Sequence, residues 1–498
     1  MKKYLIKSSL WRQLGLLSVM CASATAVKAD QQTWWGLGAT ANWSDAGGNW
    51  TNTALNAAVP AAGDDLIFAN ANQPTSINDL VALTINSLSL TVSGGFAFSG
   101  NPLTIASGIT NTADGATFNL PLILSGAQTF ELDASSVTTT FNYAITNTGN
   151  LTIQGVGDAT WSNSFAASVP VLGLRGAGNL IVNGPGAVTI NGGFLYPASS
   201  LNFAGNTIVN GGTLNMNAGC FDGNSQVGQS LTINPGGTVI TGAPHIAGSS
   251  GRPLSVFGGK MTMGAGSSPG EAYFTTVILS NATFDVGGPG SGDLRGNGSF
   301  TNLASAGETL FGVSLSLTSS RVIGVDKGTV TSPDPGVDIN FSGNGTSAIQ
   351  GSGNLTKVGP GTMLISGADI HTGTTTISAG KLALTGTMNN TPTITVASNA
   401  VFDISGTGFS LSTNQTLLGV GSVIGTVNDS YSVTGAAISP GGNNAAGVLS
   451  LDGLNLQGNG LMLNFDLANT TAIGGGTNDL LIVTNLSLSG AATNTVNI

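Results

Sequence analysis

Apolar and polar residues alternate with a period of two along short stretches of this chain, and each stretch is interrupted by a pair of turn residues before the alternation resumes. TIVNGGTLNM (207–216), LTINPGGTVI (231–240), VILSNATFDVG (277–287), TISAGKLAL (376–384) and ITVASNAVFDI (394–404) share that grammar. Each predicts two short strands joined by a tight bend, because successive strand residues point to opposite faces. The alternation places Ile208, Leu214 and Met216 on one face of the first stretch, and Ile394, Val396, Phe402 and Ile404 on one face of the last, with Thr, Ser and Asn opposite. Gly and Asn occupy the bends, where they tolerate the positive φ that a corner requires.

A longer self-match organises these units. GAGNLIVNGPGAVTING, from Gly176 to Gly192, aligns without a gap to GSGNLTKVGPGTMLISG, from Gly351 to Gly367. One such unit cannot bury its apolar face alone; stacking on neighbours is what excludes water. Similar units continue from about residue 80 to the end with no linker, whereas a two-sheet sandwich closes after about 100 residues. The pattern therefore predicts an all-β chain folded as a right-handed parallel β-helix (β-solenoid), with about 20 to 25 residues per rung. Composition agrees: 75 of 498 residues are Gly and only 36 are charged, which suits Thr, Ser and Asn ladders better than stacked like charges. Collagen is excluded because Gly follows no three-residue period, and disorder because 41% of residues are apolar.

Residues 1–29 read as a secretory signal peptide, with Lys2, Lys3, Lys7 and Arg12 ahead of an apolar run from Leu14 to Val27 and cleavage expected after Ala29. The expected organisation is then a Trp-rich N-terminal cap over 30–80 and a repeat region over 81–498, its best repeat at 351–386 and a second copy at 176–216. The later chain has no run of 18 apolar residues, so no transmembrane segment is expected in the mature protein. Five of the thirteen basic residues lie in the leader, which leaves eight against twenty-three acidic residues, a net of −15. That sign disfavours nucleic acid as a partner. Cys220 is the one cysteine left after cleavage, so no internal disulfide staples the fold. A small buried core residue is the expected role of Cys220, and Met20 ahead of Cys21 argues against a lipid-anchored leader.

Across 351–386, GSGNLTKVGPGTMLISGADIHTGTTTISAGKLALTG resembles the autotransporter-associated β-strand repeat, also called the passenger-associated transport repeat. Gly351, Gly353, Leu355, Lys357, Gly359, Gly361, Leu364, Gly367, Gly373, Thr375, Ile377, Gly380 and Leu382 carry the match; Asp369 and His371 stand where that repeat usually has Asn and Tyr. The start (34–50 and 60–68), the intervening stretches (101–109 and 120–130) and the later region (439–467 and 478–490) are similar to other parts of the same large exported proteins. The resemblance implies a β-helical passenger, secreted or held at the cell surface, that crosses the outer membrane with the help of export machinery and serves as a scaffold or adhesin-like stalk. It implies no cofactor. The membrane barrel or sorting tail that such proteins carry is not recognisable before Ile498.

Polysaccharide-active β-helix enzymes are the rival class, and they need converging carboxylates or an acidic cation site. The carboxylates here are scattered: Asp64 and Asp65 form the one adjacent pair, Asp334 and Asp338 share a Pro-fixed turn, and Glu131, Glu271 and Glu308 lie far apart. His245 and His371 are 126 positions from one another, and His371 is expected to pack as a ring in place of the repeat Tyr. GGPGSGDLRGNG (287–298) has Asp293 out of register for a calcium-binding repeat. No catalytic or metal site is therefore expected. Trp34, Trp35, Trp43 and Trp50 fall within 17 residues and form the best candidate contact with a cell-surface or extracellular polysaccharide, through indole stacking on sugar rings; the alternative use is to cap the first rung.

Overall fold

The computed structural model describes residues 30–498, apart from 114, 135–137, 162–173, 177, 191–204, 217–228, 243–244, 247–250, 265–270, 289–291, 344, 407, 430–432, 443–444, 459, 469–476 and 489–493. The leader, Cys21 and Cys220 lie outside the described residues, as does the side chain of His245. Among the described residues every regular element is a strand, and the strands build a parallel β-solenoid, as the periodicity predicts.

One ladder runs from Gln31–Trp34 to Thr495–Asn497 without a break, each strand pairing in parallel with its counterpart in the next rung. A second ladder follows the bend: Gly212–Met216, Gly237–Thr241, Lys260–Met263 and Thr283–Val286 stack in order. A third face appears where a rung has a further short strand, as in Asp293–Arg295, Ser314–Leu317 and Ile349–Gly351. Leu355 opposes Thr375, which opposes Ile394, so these rungs take 20 and then 19 residues. Ile323 instead opposes Lys357, 34 residues on, because the intervening chain includes the excursion 326–338.

The five predicted bends share one backbone feature. Gly212, Gly236, Asn281, Gly380 and Asn399 have φ of 67°, 85°, 49°, 64° and 61°, one positive-φ residue per bend, at positions where only Gly or Asn is comfortable. The self-match is also structural: Leu180–Val182 and Leu355–Val358 occupy the first ladder, and Ala187–Ile190 and Thr362–Ile365 the second, at the same offset as the sequence alignment.

Ile394, Val396, Phe402, Ile404, Leu214 and Met216 are all buried, as expected. Ile208 is a correction: it lies on the outer row between Ile181 and Thr232, while Thr207 and Val209 point inward. Adjacent apolar residues in T-I-V leave the period-two phase ambiguous, and the stack decides it by aligning Val182, Val209 and Ile233 in one interior column.

The interior is one continuous apolar column along the axis. Near its start it is aromatic. Phe98 and Phe118 stack at 4.8 Å between ring centres and Phe118 and Phe141 at 5.1 Å, with rings tilted by 21° and 13°. In-register stacking of identical side chains follows from the parallel ladder itself, which sets equivalent residues one above another.

Candidate functional site

The tryptophan cluster forms the N-terminal end of the stack. Trp34, Trp43 and Trp50 are fully buried and Trp35 is 39% exposed. Trp50 meets Trp34 edge-on at 4.9 Å and Trp43 at 5.7 Å, and all three rings pack on Phe68. The strand Trp50–Thr51 pairs antiparallel with Gln31–Trp34, so the free edge of the first rung is occupied by the chain's own backbone. Asn49, also buried, donates to the carbonyls of Thr40 and Asn42 at 2.8 and 3.0 Å and accepts from the Gly38 N–H at 2.8 Å, which pins the loop across the end. Trp34, Trp43 and Trp50 therefore present no ring face on which a sugar can stack. Of the proposed stacking platform only Trp35 reaches solvent, with its indole N–H donating to Thr51 Oγ1 at 2.7 Å.

In the 351–386 unit the motif residues are corner and core pieces. Leu355, Lys357, Ile377 and Leu382 are fully buried. Lys357 is a cation inside the solenoid whose ammonium donates to the carbonyls of Val358, Gly359 and Ala379 at 3.3, 2.8 and 2.9 Å. Burial pushes its pKa down to about 8, against the pull of Asp338. The glycines stack where rungs approach closely: a Cβ on Gly373 would stand 2.2 Å from the carbonyl oxygen of Gly353.

Sequence spacing did not reveal one constellation. His371 Nδ1 lies 2.5 Å from Asp369 Oδ1, and His371 Nε2 lies 3.3 Å from the Thr375 hydroxyl. A carboxylate, an imidazole and a hydroxyl in line resemble a nucleophile relay. All three side chains are fully or nearly fully buried, however, and Thr375 Oγ1 sits 3.5 Å from Thr391 Oγ1, facing another core hydroxyl. The arrangement locks a corner; it offers no substrate an approach.

Other acids bind backbone N–H groups and neighbouring polar side chains. Asp64 accepts from the N–H groups of Asp30 and Ala61 at 3.1 and 2.8 Å, and Asp65 accepts from Asn86 and Ser87 at 2.7 and 2.6 Å. Asp338 accepts from the N–H groups of Gly328 and Thr362, both at 2.7 Å, and meets Lys327 at 3.4 Å. Glu308 is buried beneath the 326–338 excursion and accepts from the Asp334 N–H at 3.2 Å; burial, aided by the Asp334 charge, pushes its carboxyl up to about 7. Among the described residues no group of three His, Cys, Asp or Glu side chains is placed to hold a metal ion, and no helix is long and apolar enough to cross a membrane.

A second feature that no local sequence pattern marks is a polar corner on the middle rungs. The Arg295 guanidinium donates to Asp293 Oδ2 at 2.7 Å and to the Tyr273 hydroxyl at 3.0 Å, and the Ser316 hydroxyl donates to the same Asp293 oxygen at 3.0 Å. Beside it a surface cavity of about 330 Å³ is lined by residues that include Gly251, Tyr273, Thr275, Gly296, Asn297 and Ser319. These positions are separated by roughly one rung each, so only the fold gathers them.

No family model matches the chain, and no solved structure matches it. Among curated proteins the chain is similar to the adhesin BmaC autotransporter of Brucella suis biovar 1 (strain 1330), at 28% identity over 268 residues that cover 47% of this chain. The matched stretch spans 7% of that adhesin's length. A β-solenoid similar in sequence to an autotransporter adhesin fits the architecture of an autotransporter passenger.

Proposed function

We propose that this chain is an exported, non-catalytic, adhesin-like scaffold of the autotransporter-passenger type, acting at or beyond the cell surface. The supporting observation is the unbroken parallel ladder closed at its first rung by its own antiparallel strand, joined to the similarity with an autotransporter adhesin. A rod of this kind separates its ends without dividing its core, which suits a stalk that projects a surface away from the membrane. The leader over 1–29 directs export, 30–80 covers the N-terminal end and 81–498 supplies the stalk, with the 351–386 repeat aiding passage through the export machinery. Partners are polysaccharides of a cell surface or matrix.

Beads coated with the full chain test this function. Retention on polysaccharide-bearing cells, with no release of reducing or unsaturated ends from a panel of neutral and acidic polysaccharides, is the expected result. Release of such ends would replace the scaffold with a polysaccharide-active enzyme, and beads that slide off every surface would remove adhesion.

A further inference from the structure

The chain has five arginines, and three of them, Arg252, Arg295 and Arg321, stand within two residues of the lining of the corner cavity. Arg252 follows the lining residue Gly251, and its Nε is buried without a partner. Arg295 precedes the lining residue Gly296 and is committed to Asp293 and Tyr273. Arg321 opens the strand after the corner 318–320 and is 2% exposed. Its guanidinium has one long hydrogen bond, Nε to the Gly298 carbonyl at 3.4 Å, and lies over the Phe300 ring at 5.8 Å; both terminal nitrogens are buried without partners. The contrast with Lys357 two columns away is physical. The same solenoid surrounds that buried cation with three carbonyl acceptors and gives Arg321 none for its two outer nitrogens.

A buried cation with unpaired N–H groups is among the costlier arrangements a core holds, and an anionic ligand would satisfy them. Burial alone pushes the Arg321 pKa down to about 10, with no carboxylate opposing it. The route to the group is short. Arg321 Nη2 lies 3.1 Å from the point at which a side chain on Gly296 would begin, and Gly296 lines the cavity, so the guanidinium sits behind the Gly296 backbone with no side chain of that residue screening it. The other walls offer the hydroxyls of Thr275, Thr318 and Ser319, the Asn297 amide and the Tyr273 ring, the groups that grip sugar hydroxyls and a sugar face. Among the side chains described at this corner the acid is Asp293, and Arg295 neutralises it.

We infer that the corner cavity binds a carboxylate-bearing sugar, with the planar guanidinium of Arg321 taking the carboxylate and the cavity rim holding the ring. A guanidinium matches a carboxylate with two parallel N–H···O bonds, which is the pairing Arg321 lacks. The choice of a saccharide over a free anion rests on the adhesive function proposed above.

Calorimetric titration of the full chain with trigalacturonate, with a neutral galactose trisaccharide and with sodium acetate tests the assignment. Trigalacturonate is expected to bind at least tenfold more tightly than either control. Arg321→Met is expected to lose at least tenfold in that affinity while melting no lower than the parent without ligand, because a buried unpaired charge replaced by an apolar chain relieves the core. Ser319→Trp, at an exposed rim position, fills the cavity without touching the core and is expected to lose the same binding. Absence of trigalacturonate binding by the parent chain, or parent-like binding by both variants, overturns the site. Acetate binding as tight as trigalacturonate overturns the sugar assignment. Beads that adhere to cells while the chain ignores trigalacturonate remove this site alone; beads that do not adhere remove the function beneath it.

Discussion

Gly373 offers a direct measure of how tightly successive rungs are clamped. A Cβ at this position would stand 2.2 Å from the Gly353 carbonyl oxygen, about 0.8 Å inside the 3.0 Å that real Cβ contacts respect. Relief requires the two rungs to part locally. Three hydrogen bonds hold them there: Thr372 N–H to the Gly351 carbonyl at 2.8 Å, Leu355 N–H to the Thr374 carbonyl at 2.8 Å, and Thr374 N–H to Asn354 Oδ1 at 2.9 Å. Opening by the overlap takes the 2.8 Å bonds to about 3.6 Å, beyond hydrogen-bonding reach. Three lost bonds at roughly 1 kcal/mol each put the cost of Gly373→Ala at roughly 3 kcal/mol. Gly126 is the control: its φ is +89° but a Cβ there meets nothing within 4 Å, so Gly126→Ala carries backbone strain alone, about 1 kcal/mol. Hydrogen exchange on the full chain reads the difference rung by rung, which bulk unfolding of a solenoid does not. Gly373→Ala is expected to speed exchange at Leu355, Thr372 and Thr374 by roughly a hundredfold, with the change fading over the adjacent rungs. Unchanged protection at those amides, or a larger effect from Gly126→Ala, would refute rung clamping as the reason for glycine at this corner.

Leu355→Asp sets a carboxylate in the fully buried interior column and is expected to cost several kcal/mol or prevent folding, read as loss of the far-UV strand signal; a parent-like melting curve would contradict the stacked core. Trp50→Ala removes the ring that meets Trp34, Trp43 and Phe68, at a cost of about 3 to 5 kcal/mol, and is expected to speed hydrogen exchange over 31–34 and 65–68 while Trp35→Ala leaves it unchanged. Glu308 has a folded pKa of about 7 against an ordinary 4.5, so its protonated form stabilises the fold. That contribution is fully present below about pH 4.5, is lost as pH rises through about 7, and amounts to roughly 3 kcal/mol. Glu308→Gln is expected to flatten this part of the stability profile, measured as local exchange around 308 and 334; an unchanged slope would place the titration elsewhere.

The strands and corners were legible because the stack repeats them. Each bend at 212, 236, 281, 380 and 399 carries a residue suited to positive φ, and each flanking alternation states which residues face inward. Phase failed where the alternation itself was ambiguous, at Thr207–Val209, since three residues with two adjacent apolar side chains fit either face and only the columns above and below choose. The tryptophans were legible as a cluster but not as a use: the antiparallel return of Trp50–Thr51 onto Gln31–Trp34 turns three of the four rings inward, and no local pattern announces a strand of two residues. The polar corner was illegible for a deeper reason. Gly251, Tyr273, Gly296 and Ser319 stand a rung apart in sequence and side by side in space, and no window of chain contains two of their rungs as neighbours. In a solenoid the repeating residues specify the scaffold, so a site must be written in departures from the repeat. Arg321, an inward cation where the next rungs place Leu355, Thr375 and Ile394, is such a departure. Departures of this kind carry no period, and they become visible only when the rungs are laid one upon another.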